Sequence, residues 1–275
     1  MANDTLGIIG LGRMGSALLR GLLTSGYDAR RVHVAEVDEA ALASAADLGV
    51  WTHGSNAELA KAVETVVLAV KPKDVPQVLR DLGELRERAT VISIAAGFSL
   101  STLAGGLPLH VRVVRAMPNT PCLVQAGVTV LHAGHGVSAE EMARVTTLFA
   151  PLGLVEIVHD EALLDAVTAL AASGPAFVFT ALEALADGGV LMGLSRDLAH
   201  RLAVQMVLGS AELCKKRGDH PARLRDEVAS PGGTTIHGLR ALEAGGFRAA
   251  LINAVEAASK RATEMSQQSK TKDRG

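Results

Sequence analysis

The chain has 275 residues, 48% of them hydrophobic, which is enough apolar material for two domains of ordinary size. The 27 Lys and Arg residues are balanced by 29 Asp and Glu residues, so no net charge favours nucleic acid or an acidic membrane surface as a partner. The two cysteines, Cys122 and Cys214, lie far apart without a C-x-x-C spacing, which argues against a zinc site or a disulfide framework. The composition favours a protein that recognises a small molecule.

Two apolar segments could contact a membrane, and neither has the pattern of one that does. The first run stops at Arg13 and has no positively charged leader before it, unlike a signal peptide. The longest apolar stretch, residues 176–194, carries Glu183 and Asp187, which a lipid-exposed helix tolerates poorly. We expect a cytoplasmic protein in which residues 176–194 form a buried helix at an interface.

Short apolar runs alternate with helical patterns through the first half of the chain. The predicted strands of this region cover residues 5–10, 31–36, 65–70, 90–95 and 111–117. Such alternation is typical of a parallel sheet with crossover helices. Two further runs, 127–134 and 154–159, predict strands at the end of this domain, which we place at residues 1–159.

A glycine pattern follows the first predicted strand and opens a helix. Gly10, Gly12 and Gly15 form G-x-G-x-x-G, in which the first glycine allows a tight turn, the second lets a pyrophosphate approach the backbone, and the third lets helix and strand pack closely. The helix N-terminus offers free N–H groups to the phosphates. A glycine-rich turn with a purely structural use is the alternative, but the flanking elements favour a Rossmann-type dinucleotide site.

An acidic residue ends the second predicted strand. Glu36 lies 21 positions after Gly15, where a carboxylate can accept hydrogen bonds from the adenosine ribose. A carboxylate there repels the 2′-phosphate of NADP, and the residues that follow it bring no cation, so the sequence favours NADH. Arg13, in the glycine loop, could partly offset this preference by reaching the phosphate.

The predicted strands at 65–70 and 90–95 end in AVKP (69–72) and IAAG (94–97). Ligands of open α/β sheets lie beyond the carboxyl ends of the strands, so these loops should line the nicotinamide half of the cofactor cleft. Their small residues let a flat ring lie against the backbone. Lys71 is either a solvated loop charge or a cofactor ligand.

After about residue 160 the strand patterns stop and apolar positions recur at helical spacing. Breaks occur near residues 173–175, 193, 218 and 231–233, and the polar segment 266–275 should be frayed. We predict an all-helical second domain over residues 160–275.

The segments GLGRMG, LAVKP, SIAAG, RAMPNTP, ASGPAF, EALADGGVLMGL and SPGGTTIHGL occur in this order, and with them the chain closely resembles pyrroline-5-carboxylate reductase from about residue 6 to residue 265. That family reduces a ring C=N bond with NAD(P)H to make proline. The resemblance implies an N-terminal Rossmann domain, a helical domain that forms a homodimer, and active sites at the dimer interface. Dimers of this family commonly associate into decamers. The implied ligand is a cyclic imino acid, with no metal.

The segment SPGGTT would hold the substrate carboxylate. Pro231 ends one helix, and Gly232 and Gly233 free the backbone to expose N–H groups at the start of the next, which suits an anion. By resemblance, the hydroxyl of Thr235 lies against the ring nitrogen and helps to deliver a proton. Ordinary helix capping by Ser230, Thr234 and Thr235 is the alternative, although capping alone does not require two glycines.

Further positions follow from the resemblance. Glu161 and Glu227 are expected near the substrate, although a carboxylate at 227 is also explained as a solvated helix charge. Asn119 either touches the nicotinamide region or caps a turn. Ala171 departs from the serine of many relatives, which removes any side-chain polar contact there, and His237 is expected to be structural. The predicted substrate residues are Glu161, Glu227, Ser230, Gly232, Gly233, Thr234 and Thr235, and the predicted cofactor residues are Gly10, Leu11, Gly12, Arg13, Met14, Gly15, Glu36, Asn56, Ala69, Val70, Lys71, Pro72, Ala95, Ala96, Gly97 and Asn119.

Two other functions compete with this one. A two-domain 3-hydroxyacid dehydrogenase shares the GLGRMG start but uses a lysine on the helix that opens its second domain, and this sequence has no lysine between Lys73 and Lys215. A dinucleotide sensor without catalysis would not need the SPGGTT segment.

Overall fold

The computed structural model describes residues 5–272, with side chains described as far as residue 267. Within that range eight strands form one sheet in the order β3-β2-β1-β4-β5-β6-β7-β8. The strands are β1 (Leu6–Ile9), β2 (Val32–Ala35), β3 (Trp51–His53), β4 (Thr65–Leu68), β5 (Thr90–Ser93), β6 (Arg112–Pro118), β7 (Gly127–Ala133) and β8 (Gly153–Ile157). All neighbouring strands are parallel except β6 and β7.

The central strands are aliphatic because both of their faces are covered. Ile8 of β1 is paired with Val34 and Val67, and all three are fully buried on one face of the sheet. Successive strand residues point to opposite faces, so Ile9 and Leu68 contribute to a second apolar cluster on the other face. Helices on both faces of a mostly parallel sheet confirm the predicted doubly wound Rossmann-type domain.

Seven helices belong to this part of the chain. They are α1 (Arg13–Thr24), α2 (Glu39–Ala46), α3 (Asn56–Ala62), α4 (Val75–Asp81), α5 (Leu100–Gly105), α6 (Ala139–Phe149) and α7 (Leu163–Val167). Ser55, Ser99 and Ser138 cap the starts of α3, α5 and α6 by accepting backbone N–H bonds, which fixes where each helix begins.

The sheet differs from its prediction at two places. Strand β3 was not predicted, because it has three residues, two of them polar, and Trp51 is exposed. The link from β6 to β7 covers only residues 119–126, which is too short for a crossover between parallel strands, so the two strands run antiparallel.

The rest of the described chain is helical, as predicted. A π-helical turn at Thr168–Ala172 follows α7, and the later helices are α8 (Gly174–Leu191), α9 (Arg196–Arg217), α10 (Pro221–Val228), α11 (Thr234–Ala244) and α12 (Phe247–Lys272). Residues 266–272 continue α12, residues 273–275 lie outside the described residues, and the fraying of 266–275 stays a prediction.

The described residues divide into two compact units. The sheet unit contains residues up to 173 together with those from 258 onward, and the helical unit contains residues 174–257. In the sheet unit, the carboxylate of Asp165 on α7 accepts hydrogen bonds from the hydroxyls of Thr263 and Ser266 on α12.

The apolar stretch predicted to be a buried helix is exposed in the single chain. The segment Leu163–Leu191 is long and apolar enough to cross a membrane by length and composition alone, and 11% of its most apolar part is buried. Phe179 and Leu185 of α8 are both exposed. The prediction of burial is therefore wrong for the isolated chain.

Candidate functional site

The glycine loop after β1 is held close to its neighbours. Gly10 has φ +94°, and a Cβ there would lie 2.8 Å from the carbonyl oxygen of Ala69. A Cβ on Gly15 would overlap the carbonyl oxygen of Gly10, so neither position accepts a side chain. Around Gly12, the residue before α1, a Cβ would meet no atom within 4 Å. The loop thus has two packed glycines and one open glycine, which is the arrangement a pyrophosphate requires.

Glu36 is bonded to the backbone of this loop. Its Oε2 accepts the N–H of Leu11, and its Oε1 accepts the N–H groups of Val37 at 2.7 Å and Asp38 at 3.1 Å. These bonds fix the carboxylate at the carboxyl end of β2, where it was predicted. They also occupy three backbone donors that could otherwise bind a phosphate.

A cleft of about 890 Å³ lies along the carboxyl ends of β1, β2 and β4. It brings together many of the predicted cofactor residues with several that were not predicted. The predicted residues that line it are Gly10, Leu11, Gly12, Glu36, Asn56, Ala69, Val70 and Lys71. Lys73 also lines the cleft, so two exposed lysines, 71 and 73, share it with the carboxylate of Glu36.

Arg13 faces a different space. It lines a separate cavity of about 310 Å³ with Ser16, Arg20 and Cys122, and it does not line the cleft that contains Glu36. The structure therefore gives no support to Arg13 as an offset to the charge of Glu36. Met14, the second residue of α1, packs against the core cluster of the sheet unit.

The loop after β5 contains the other small residues predicted for the cofactor. Ala95 is buried, Gly97 has φ +84°, and a Cβ on Gly97 would meet no atom within 4 Å. Ala96 packs against an apolar cluster that contains Met117 of β6 and Leu164 of α7. Pro72, the other predicted loop residue, opens a short 3-10 turn after β4.

Glu161 is part of a partly buried ion pair that the sequence did not indicate. Its Oε1 accepts a hydrogen bond from the Arg115 guanidinium at 2.8 Å and another from the N–H of Leu100 at 2.6 Å. The Arg115 side chain is 6% exposed and that of Glu161 is 31% exposed. Glu161 thus connects β6 to the first residue of α5.

Asn119 is buried and bridges three segments. Its Nδ2 donates to the carbonyl of Ala171 at 3.1 Å, and its Oδ1 accepts the N–H of Val128 at 2.9 Å. Asn119 precedes the 3-10 turn Thr120–Val124 without capping it. Its side chain therefore ties the end of β6 to β7, and turn capping, one of the two predicted roles, is wrong. Ala171 has no polar side chain, but its backbone carbonyl accepts this hydrogen bond from Asn119.

The helical unit contains the SPGGTT segment. Gly232 has φ +67°, and Gly233 occupies the N-cap position of α11, so no side chain caps that helix. A Cβ on Gly233 would overlap the Ser230 hydroxyl. Thr234 and Thr235 are the first two residues of α11. The alternative prediction, side-chain capping of this helix start, is therefore wrong.

Glu227 takes part in ion pairs within the helical unit. Its carboxylate accepts two hydrogen bonds from Arg217 at the end of α9, and these bonds lower the pKa of Glu227. Arg217 also pairs with Asp219. His237 donates from Nδ1 to the carbonyl of Gly233 at 2.9 Å, which agrees with a structural role for that histidine.

Several residues of these sites were not predicted from the sequence. Arg115 and Arg217 were missed because a buried or paired arginine has no distinctive local pattern. His53 was missed with β3; it lines the cleft, and its Nε2 lies 2.8 Å from Nδ1 of His33. Burial, and then the nearby His53 and Arg86, lower the pKa of His33.

Comparisons with known proteins cover both units. Residues 161–265 match the family model described as pyrroline-5-carboxylate reductase dimerisation, and residues 5–97 match the model described as NADP oxidoreductase, coenzyme F420-dependent. The chain is 42% identical to pyrroline-5-carboxylate reductase 3 of Mus musculus over 264 residues, which span 95% of this chain and 96% of that protein.

Solved structures agree over nearly the full length. A pyrroline-5-carboxylate reductase from Coxiella burnetii is similar at a TM-score of 0.91 and 35% identity, covering 96% of this chain and 99% of that one. The Plasmodium falciparum pyrroline carboxylate reductase, solved with NADP bound, is similar at a TM-score of 0.86 and 33% identity, covering 97% of this chain and 99% of that one.

Proposed function

This chain belongs to the pyrroline-5-carboxylate reductase family, and we propose that it reduces the C=N bond of L-1-pyrroline-5-carboxylate to L-proline with NAD(P)H, the last step of proline biosynthesis. The observation that carries the substrate assignment is the uncapped start of α11 at Gly233, which offers backbone N–H groups to a carboxylate. The same chain has a glycine loop shaped for a pyrophosphate.

The glycine loop, Glu36 and the loops after β4 and β5 would hold the dinucleotide. The reduced nicotinamide supplies a hydride, which goes to the imine carbon, while the ring nitrogen takes a proton. We assign the substrate carboxylate to the amides at Gly233, Thr234 and Thr235, with Ser230 and Gly232 shaping the turn. Glu161 and Glu227 lie farther from this helix start in sequence, and we propose them as supports of the substrate site.

Thr235 would direct its hydroxyl to the ring nitrogen. A threonine hydroxyl is too weak an acid to protonate the imine unaided, so the proton comes through a water or is already present on an iminium. General acid assistance contributes about 10²- to 10⁴-fold in rate. We therefore expect Thr235→Ala to lower kcat within that range while the protein stays folded.

The test measures NADH consumption when L-1-pyrroline-5-carboxylate is added to the purified protein. Thr147→Ala is a matched control, because its hydroxyl donates to the carbonyl of Ala143 within α6. No turnover with either NADH or NADPH would reject the reductase function. Turnover of Thr235→Ala equal to that of the Thr147→Ala control would reject the role of the hydroxyl alone.

We further propose that NADH is preferred over NADPH. Glu36 would bring a carboxylate beside the adenosine ribose, and its oxygens accept the N–H groups of Leu11, Val37 and Asp38. Lys71 and Lys73 line the same cleft and favour the opposite preference. The ratio of kcat/KM for NADH and NADPH decides, and Glu36→Gln should move that ratio toward NADPH. A wild-type preference for NADPH would contradict the proposal.

The domains and subunits of the protein follow the same family pattern in our proposal. We propose that residues 1–159 form the dinucleotide-binding domain and that residues 160–275 form the helical domain for dimerisation and substrate binding. The homodimer would complete the active sites, and five dimers would associate into a decamer in the cytoplasm. Sedimentation of the native protein measures the number of subunits directly.

A further inference from the structure

Arg115 is a nearly buried cation in the middle of the sheet unit. It lies on β6, two residues before Met117, so both side chains are on the same face of the strand. Met117 belongs to the apolar cluster against which Ala96 packs. A guanidinium in such surroundings is strongly unfavourable unless it is paired. Glu161 provides the partner, with a bond of 2.8 Å.

Glu161 uses the same oxygen to hold the start of α5. Its Oε1 accepts the N–H of Leu100 at 2.6 Å, and Leu100 directly follows the loop 94–99. The first end of that loop is fixed by β5, where the Ile94 N–H donates to the carbonyl of Leu68 at 3.2 Å. The loop is therefore tied at both ends, and the second tie depends on a carboxylate that Arg115 orients.

We propose that Arg115 is a positioning residue for hydride transfer: it fixes Glu161, and Glu161 fixes the loop 94–99 that lies against the nicotinamide. This inference rests on the proposed reductase function. Hydride transfer depends steeply on the placement of the reacting groups, and a misplacement of about 1 Å can cost on the order of 10²-fold in rate. Arg115 would act through its bond to Glu161 and through the bond of Glu161 to the N–H of Leu100.

Two double variants separate positioning from simple stability. Arg115→Met with Glu161→Gln removes both charges but keeps a side-chain oxygen for the N–H of Leu100. Arg115→Met with Glu161→Ala removes the same charges and also that oxygen. Neither pair buries an unpaired charge, so they differ at the contact with Leu100. Arg115→Lys keeps the ion pair, and Arg144→Met removes an exposed arginine that pairs with Glu140 on α6.

We expect the kcat of the Met/Ala variant to lie roughly 10- to 100-fold below that of the Met/Gln variant, whereas Arg115→Lys keeps kcat within about threefold of wild type. The kinetic isotope effect with NADH deuterated at the transferred position should rise in the Met/Ala variant, because chemistry becomes slower. The Kd for ADP-ribose, which lacks the nicotinamide, should stay unchanged in all variants. In the protein without cofactor, deuterium exchange of the peptide that contains Leu100 should be faster in Met/Ala than in Met/Gln.

Equal kcat in the Met/Ala and Met/Gln variants would overturn the proposal, as would a parallel loss of ADP-ribose affinity. Arg144→Met should behave as wild type in every measurement. Failure of the wild-type protein to turn over pyrroline-5-carboxylate would reject the reductase function instead. The exchange measurement would still test whether Glu161 holds the N–H of Leu100.

Discussion

The sheet unit and the helical unit of this chain treat their apolar residues in opposite ways. In the sheet unit Ile8, Val67 and Ile92 are 0% exposed, because helices cover both faces of the strands. In the helical unit Phe179 is 62% exposed and Leu202 is 52% exposed. The sheet unit therefore encloses its own core, and the helical unit leaves large aliphatic and aromatic side chains in water.

The helical unit buries small residues instead. Its buried hydrophobic residues, among those the structure describes, are Ala186, Ala199 and Ala203. Helices α8 and α9 approach closely there, and a Cβ added to Gly189 would lie 3.1 Å from the Cβ of Ala199. Two helices packed through alanine and glycine bury little apolar area. An exposed apolar surface of this kind is stable in water when a second protein surface covers it, which supports the proposed dimer.

The largest expected effect is a weaker dimer after a substitution in the exposed apolar surface of the helical unit. Phe179→Glu places a carboxylate where the proposed partner covers α8. An unpaired charge in a buried interface costs about 3 kcal/mol or more, so the Kd of the dimer should rise on the order of 100-fold. We also expect loss of activity at dilutions where the variant is monomeric. Sedimentation equilibrium measures the Kd.

Leu109→Glu is the matched control in the sheet unit. Leu109 is fully exposed between α5 and β6. Its substitution should leave the Kd of the dimer and the activity unchanged. A dimer of normal affinity in Phe179→Glu would show that this face of α8 is not covered in solution, and the contrast between the two units would lose its functional meaning.

A second pair of variants compares the two kinds of packing directly. Leu68 in β4 is fully buried, and Leu68→Ala should lower the free energy of unfolding by about 2–5 kcal/mol. Leu208 in α9 is half exposed, and Leu208→Ala in the monomeric Phe179→Glu background should change it by less than about 0.5 kcal/mol.

Urea unfolding measures both values. In the dimeric protein, Leu208→Ala should also lower stability in a manner that depends on protein concentration, whereas the effect of Leu68→Ala should not. Equal costs for the two leucines in the monomeric background would mean that the helical unit has an independent core after all.

The same contrast explains what the sequence could predict. The aliphatic strands and the glycine loop were predictable, because burial on two faces and a backbone φ near +90° restrict residue choice locally. The antiparallel pairing of β7 with β6 was not predicted, although the connecting segment 119–126 is too short for a parallel crossover. Strand β3 was not predicted, because Trp51 and its polar neighbour Thr52 do not form an apolar run.

The ion pair between Arg115 and Glu161 was also missed, although Glu161 itself was predicted as a substrate residue. Arg115 and Glu161 are 46 positions apart, and only the fold brings the guanidinium to the carboxylate. For α8 the composition predicted a buried helix at an interface, whereas Phe179 and Leu185 of that helix are exposed in the single chain. Sequence patterns report burial in the functional assembly, whereas the structure reports burial in one copy.

The smallest expected effects are on pH dependence, and they too differ between the units. Burial lowers the pKa of His33 below its ordinary value of 6.5, so the neutral form is favoured in the folded sheet unit. The stability that neutral His33 contributes is fully present above pH 6.5. It is lost as the pH falls from 6.5 toward the pKa of His33 in the folded protein. We expect wild type to lose more stability than His33→Gln between about pH 7.5 and about pH 5.5. Urea unfolding at the two pH values measures the difference.

In the helical unit, the ion pair between Glu227 and Arg217 should respond only in more acidic solution. Hydrogen bonds from Arg217 lower the pKa of Glu227 below 4.5, so its contribution is present above pH 4.5 and is lost as the pH falls below that value. Both partners are partly exposed, and salt should screen the effect. Glu227→Gln should therefore match wild type in its response between about pH 7.5 and about pH 5.5 and differ from it only below about pH 4.5. Equal responses of His33→Gln and Glu227→Gln across the higher range would contradict the assignment of that sensitivity to the sheet unit.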